Sequence, residues 1–179
     1  MSILSKIQEE QNKWSLENFG EQPPLRMFTG LVEEFGELSE TITEFELVKE
    51  QLASGKGTFN FELFEDALGD MVIYSMGLCN CMGWDLETLW DQRPNPKRDY
   101  VQIVMALGKL GHHLLKMEQG IRGSKHGHYV DAQDQLKRIL AELHGMCEVA
   151  DRDLVDLTAK TWAQVVERDW KNNKKDGLH

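Results

Sequence analysis

The chain has 179 residues, enough for one well-buried core or for two small halves packed together. Thirty Asp plus Glu against 20 Lys plus Arg leave a formal charge of −10, which repels a nucleic-acid backbone and argues against polymeric DNA or RNA as a partner. No window approaches the roughly 20 consecutive apolar residues of a membrane-spanning helix. The opening MSILSKIQEEQNKW is amphipathic and carries acids, without the basic start and unbroken apolar run of an export signal. The expectation is a cytoplasmic protein whose Cys79, Cys81 and Cys147, lacking a CxxC pair, are reduced core residues.

Apolar residues recur at helical spacing nearly everywhere, and no sustained two-residue alternation argues for a strand, so the fold is expected to be all-α. A first helix is expected over about Ser2 to Glu17, ending before NFGEQPP, and a long second one from Pro24 towards Leu52. After the break ASGKGTFN, a third covers Phe61 to Met82 and stops at Gly83. Asp85 caps a short fourth, LETLW. DQRPNPKRD is a proline- and charge-rich connection. Helical patterning then resumes over Tyr100 to Glu118, about Tyr129 to Val149, and Asp153 to Lys171.

The two parts look related. GLVEEFGEL (Gly30 to Leu38) aligns with MALGKLGHH (Met105 to His113) at an offset of 75, and WDLETL (Trp84 to Leu89) aligns with RDLVDL (Arg152 to Leu157) at an offset of 68. The spacing predicts a tandem: a half over residues 1–93, a linker over 94–98 and a second half over 99–179, neither burying its apolar faces alone.

On the second helix, at about 100° per residue, Leu31, Phe35, Leu38 and Ile42 form one apolar stripe and Glu33, Glu34 and Glu37 share the flank beside it. The third helix is apolar nearly all round, as a central element of a bundle is, yet Asp66 and Asp70 project from it side by side. Ionised carboxylates in such surroundings cost several kcal/mol unless paired with a cation. The second and third helices offer only Lys49, at the far end, so a metal ion is the expected partner. Oxygen ligands without Cys or His at ligand spacing favour Mg²⁺, with Mn²⁺ as a substitute, and the absence of Glu-x-x-His argues against a di-iron bundle. Metal-assisted chemistry on a nucleotide polyphosphate follows.

EEFGELSE followed by EDALGDMVIYSMGLCNCMGWDL resembles the signature of the MazG-like, all-α nucleoside triphosphate pyrophosphohydrolases: EExxE, an acidic pair on the next helix, then a Gly-capped Asp-Leu turn. The resemblance implies a helical pseudo-dimer that hydrolyses an NTP or dNTP to monophosphate and pyrophosphate with Mg²⁺, a nucleotide-pool house-cleaning activity. It implies Glu34, Glu37 and Asp70 as metal ligands and Glu33 as an acid that binds metal or activates water. The usual ExxD of the second motif is broken by Ala67; Asp66, four before Asp70, is expected to stand in, with Glu65 as fallback. In the second half the acid positions hold Gly108, Lys109, His112 and Arg138, while KMEQGIRG and TWAQVVERDWK resemble segments that relatives carry around their sites. That second half is therefore expected to be degenerate and to supply Lys116, Arg122, Arg168 and Lys171 to the substrate phosphates, with Trp14 lining a base pocket. The resemblance also allows pairing of pseudo-dimers into a homodimer. Competing expectations are a non-catalytic helical interaction module derived from such an enzyme, and a dUTP- or dCTP-type phosphohydrolase of the same fold. The histidines 112, 113, 126 and 128 suggest no role.

Overall fold

A computed structural model describes residues 1–175 and 177. It is an all-α bundle. Among the described residues there are seven helices and no strand: α1 (Ile3–Phe19), α2 (Pro24–Ala53), α3 (Phe61–Met82), α4 (Leu86–Asp91), α5 (Tyr100–Gln119), α6 (Lys125–Val149) and α7 (Leu154–Val165). Among those residues, no helix is long and apolar enough to cross a membrane.

The helices start where the sequence supplies caps. Ser2, Asn60, Asp85, Asp99, Ser124 and Asp153 each accept a hydrogen bond from a first-turn amide, and Pro24 opens α2, where its missing N–H costs nothing. Two expected boundaries move. α6 begins at Lys125 rather than near Tyr129, because the Ser124 hydroxyl accepts from the Gly127 amide at 2.9 Å. α7 ends at Val165 instead of continuing to Lys171, because α1 takes over the backbone groups beyond it. The Trp14 indole donates to the Arg168 carbonyl at 2.9 Å, and Asn18 Oδ1 accepts the amides of Trp170 (2.7 Å) and Lys171 (3.3 Å).

α3 is the central rod. Leu68, Met71, Val72, Met76, Leu78 and Cys79 are fully buried, and α1, α2, α4, α6 and α7 all pack on it. Gly69 permits the approach of α7: a Cβ there would overlap the Thr161 side chain. Cys79 and Cys147 are buried, Cys81 is half-buried, and none is in a disulfide. α2–α3 and α5–α6 are the two most extensive helix pairs.

The same local device ends both pairs. Gly83 is left-handed (φ 67°), Trp84 N–H donates to Cys79 O at 2.8 Å, and Asp85 caps α4 at φ −99°, ψ 115°. Sixty-eight residues later Asp151 is left-handed (φ 56°), Arg152 N–H donates to Cys147 O at 2.9 Å, and Asp153 caps α7 at φ −102°, ψ 121°. This repetition falls at the offset of 68 at which the sequence aligns WDLETL with RDLVDL. The linker is pinned rather than loose: buried Glu142 of α6 accepts the amides of Lys97 (2.9 Å) and Asp99 (3.2 Å), and Pro96 lies over Gly145.

Candidate functional site

The five acids singled out by sequence lie on facing stretches of two neighbouring helices, Glu33, Glu34 and Glu37 on α2 and Asp66 and Asp70 on α3. Gly30 brings this stretch of the two helices together, since a Cβ on it would overlap the ring of Tyr74 from α3. Glu34 and Asp70 are half-buried. Burial, with the charges of Asp70, Glu37, Glu33 and Asp66 around it, pushes the Glu34 carboxyl up to about 8. Burial and the neighbouring Asp66 and Glu37 push Asp70 up to about 7, against a lowering pull from Arg168. All five acids therefore share one electrostatic environment.

The expectation that Asp66 shares Asp70's burial does not hold. Asp66 is exposed, as are Glu33 and Glu37, because it sits near the start of α3, where the groove between α3 and α7 opens to solvent between Asp66, Lys160 and Gln164. Glu65, the fallback, is committed elsewhere: Arg152 Nε lies 2.6 Å and Lys160 Nζ 3.3 Å from its carboxylate, which these partners hold below the usual range. Nor do the acids lack a protein cation, as reading α2 and α3 alone suggests. Arg168, just past α7, acts on Asp70 and on Tyr74.

Among the described residues, no three Asp, Glu, His or Cys side chains are gathered tightly enough to hold a metal ion. The acids influence one another through space, with Arg168 offsetting part of their charge at Asp70.

The other residues named from sequence are dispersed. Lys116 bonds Gln119 at the end of α5, and Arg122 is an exposed left-handed residue (φ 61°) in the α5–α6 turn; neither is among the groups that shift Glu34 or Asp70. Lys171 is exposed, with its backbone tied to Asn18. Trp14 packs edge-on against Phe19 and Trp162, at 5.6 and 6.0 Å between ring centres, with its N–H on Arg168 O. It holds the segment bearing Arg168 rather than presenting an open face.

Tyr74 escaped the sequence reading. Four residues after Asp70, it lies on the acid-bearing strip of α3, and burial beside Glu34, Glu33 and Asp70 pushes its hydroxyl up to about 12. Its spacing from Asp70 was the available signal, masked by its resemblance to an ordinary core aromatic.

No protein-family model, curated protein or solved structure matches the chain.

Proposed function

We propose that the α2–α3 carboxylates hold Mg²⁺, with Mn²⁺ as a substitute, for hydrolysis of a nucleoside or deoxynucleoside triphosphate to monophosphate and pyrophosphate, the activity of the MazG-like enzymes the sequence resembles. The observation that supports this reading is the pair Glu34 and Asp70, two half-buried carboxyls on facing helices, both pushed up to about 8 and 7 by burial and by surrounding acids. Such a pair is relieved either by protons or by a cation, and an all-oxygen donor set suits a hard divalent ion. When bound, that ion supplies the positive charge that a triphosphate needs and lowers the pKa of a coordinated water.

The protein groups have separable roles in this reading. Glu34 and Asp70, half-buried, would anchor the ion, and Glu37 and Asp66, more exposed, would supply further ligands. Glu33, on the solvent side of the strip, accepts the proton of the attacking water. Arg168, brought to Asp70 by the segment tied to Trp14 and Asn18, is the phosphate-binding cation contributed by the second half.

A panel of NTPs and dNTPs with Mg²⁺, followed for pyrophosphate and monophosphate, tests the proposal. Turnover is expected with at least one nucleotide. It falls by about 10²-fold or more in Glu37→Gln and Asp70→Asn, whereas Arg168→Glu mainly raises KM. Release of phosphate from diphosphates as well would place the chain with the dUTP- or dCTP-type hydrolases. No product from any nucleotide would overturn the enzyme reading. The derived non-catalytic module would then stand.

A further inference from the structure

The α5–α6 turn is held by a pair of histidines that the proposed reaction does not use. His128, in the first turn of α6, is buried, 6% exposed, and its Nε2 lies 3.1 Å from the Ile121 carbonyl oxygen. Its Nδ1 lies 3.1 Å from Nδ1 of His113 on α5. A carbonyl oxygen only accepts, so His128 Nε2 carries a proton. The neutral His128 ring therefore has a bare Nδ1, and the 3.1 Å contact is a hydrogen bond in which His113 Nδ1–H donates to it.

Proton counting then gives three states. With both rings neutral, one proton lies on the line between them. A first added proton goes to the outer nitrogen, Nε2, of His113; its Nδ1–H still donates, so the bond survives, and Asp131 Oδ2, 3.8 Å from His113 Nδ1, stabilises the charge. A second proton has only His128 Nδ1 left. It would set two N–H groups against each other between two cationic rings, and the bond breaks. The other groups acting on His113 oppose charging: burial chiefly, then His112, His128 and Lys109, which together outweigh Asp131 and hold it below the ordinary histidine value. His112 lies 5.3 Å from the His113 ring and 6.3 Å from that of His128.

The segment the latch holds carries one non-glycine residue in the left-handed region, Arg122 (φ 61°), between Gly120 (φ 65°) and Gly123 (φ 140°), which adopt positive φ freely. We propose that His113 and His128 form a two-proton latch: the turn over residues 120–124 stays closed while at most one ring is charged, and opens when the second proton arrives between them. The charged His128 ring keeps its Nε2–H on the Ile121 carbonyl, so parting of the two rings draws residue 121 and the start of α6 away from α5, giving the turn a switch driven by acid.

Hydrogen exchange of the Ile121 amide, which donates to Lys116 O at 3.2 Å, reads the latch in the full chain. Between about pH 7.5 and pH 4, after correction for intrinsic exchange and normalisation to α3 amides, its protection is expected to fall about tenfold, with the fall concentrated at the acid end. His113→Gln should abolish that fall, because the side-chain amide donates to a neutral His128 Nδ1 and, flipped, accepts from a protonated one. His113→Phe should lower protection already at pH 7.5, with unchanged far-UV ellipticity showing that it folds; should it not fold, the glutamine variant alone decides. Constant protection in the wild type, or the same loss in His113→Gln, would overturn the proposal.

Discussion

Glu34 and Asp70 hold protons in the folded protein at pH values where the unfolded chain has released them. Their folded values of about 8 and 7 lie above the ordinary carboxylate range, near 4. The sign follows from linkage: the stability they contribute is fully present below about pH 4 and is lost as pH rises through 7 and 8. Without divalent cations the melting temperature is therefore expected to fall between about pH 4 and pH 8 and to level off above it. Glu34→Gln, which cannot ionise, should flatten that fall. An equal slope in the variant, measured by thermal unfolding, would contradict the assignment. These residues were legible in sequence because EExxE and the Asp66/Asp70 pair are local spacings. Asp66's exposure was not, since it depends on how α7 meets α3, which no local period encodes; Arg168 was named through the resemblance of its segment, not through any spacing to the acids.

At the scale of elements, two glycines with the same sequence appearance have opposite consequences. Gly69 of α3 faces Thr161 of α7 with no room for a Cβ, whereas a Cβ on Gly108 of α5 would meet nothing within 4 Å. Gly69→Ala is expected to destabilise by about 1–3 kcal/mol through overpacking. Gly108→Ala should stabilise by about 0.5–1 kcal/mol, since alanine loses less backbone freedom in a helix. Denaturant titration of both variants checks the pair of signs; a neutral Gly69→Ala would mean that α7 is not seated on α3 as described. The helices themselves were readable from apolar period and caps, and α3 was placed within its observed bounds. α6 and α7 were misjudged at the ends set by competing hydrogen bonds, Ser124 to Gly127 in one case and Trp14 and Asn18 to the chain beyond Val165 in the other.

Across the whole molecule, the parts on either side of the 94–98 linker depend on each other for burial. α7, from the second half, covers α3 of the first and also touches α1, where the Trp162 indole donates to Glu10 at 2.9 Å. Glu65 is paired by Arg152 and Lys160 across the same boundary, although pairs with such exposed cations contribute little. A fragment ending at residue 93 would leave the Gly69 face of α3 open, so it is expected to lack cooperative unfolding, whereas the full chain unfolds in a single transition. A fragment with its own sharp transition would contradict the interdependence. The expected duplication rests on a faint repeat of glycines and caps in the sequence, whereas the matched turns at Gly83–Asp85 and Asp151–Asp153 needed backbone angles to become visible.

The central claim is a single divalent-cation site per chain between α2 and α3. Titration of the protein with Mn²⁺ at about pH 8, followed by the loss of the free-ion electron paramagnetic resonance signal, tests it most directly. Saturable binding that is weakened about tenfold or more by Asp70→Asn and by Glu34→Gln, and left unchanged by Glu65→Gln, is the predicted result. Absence of saturable binding, or binding indifferent to Glu34 and Asp70, would contradict it.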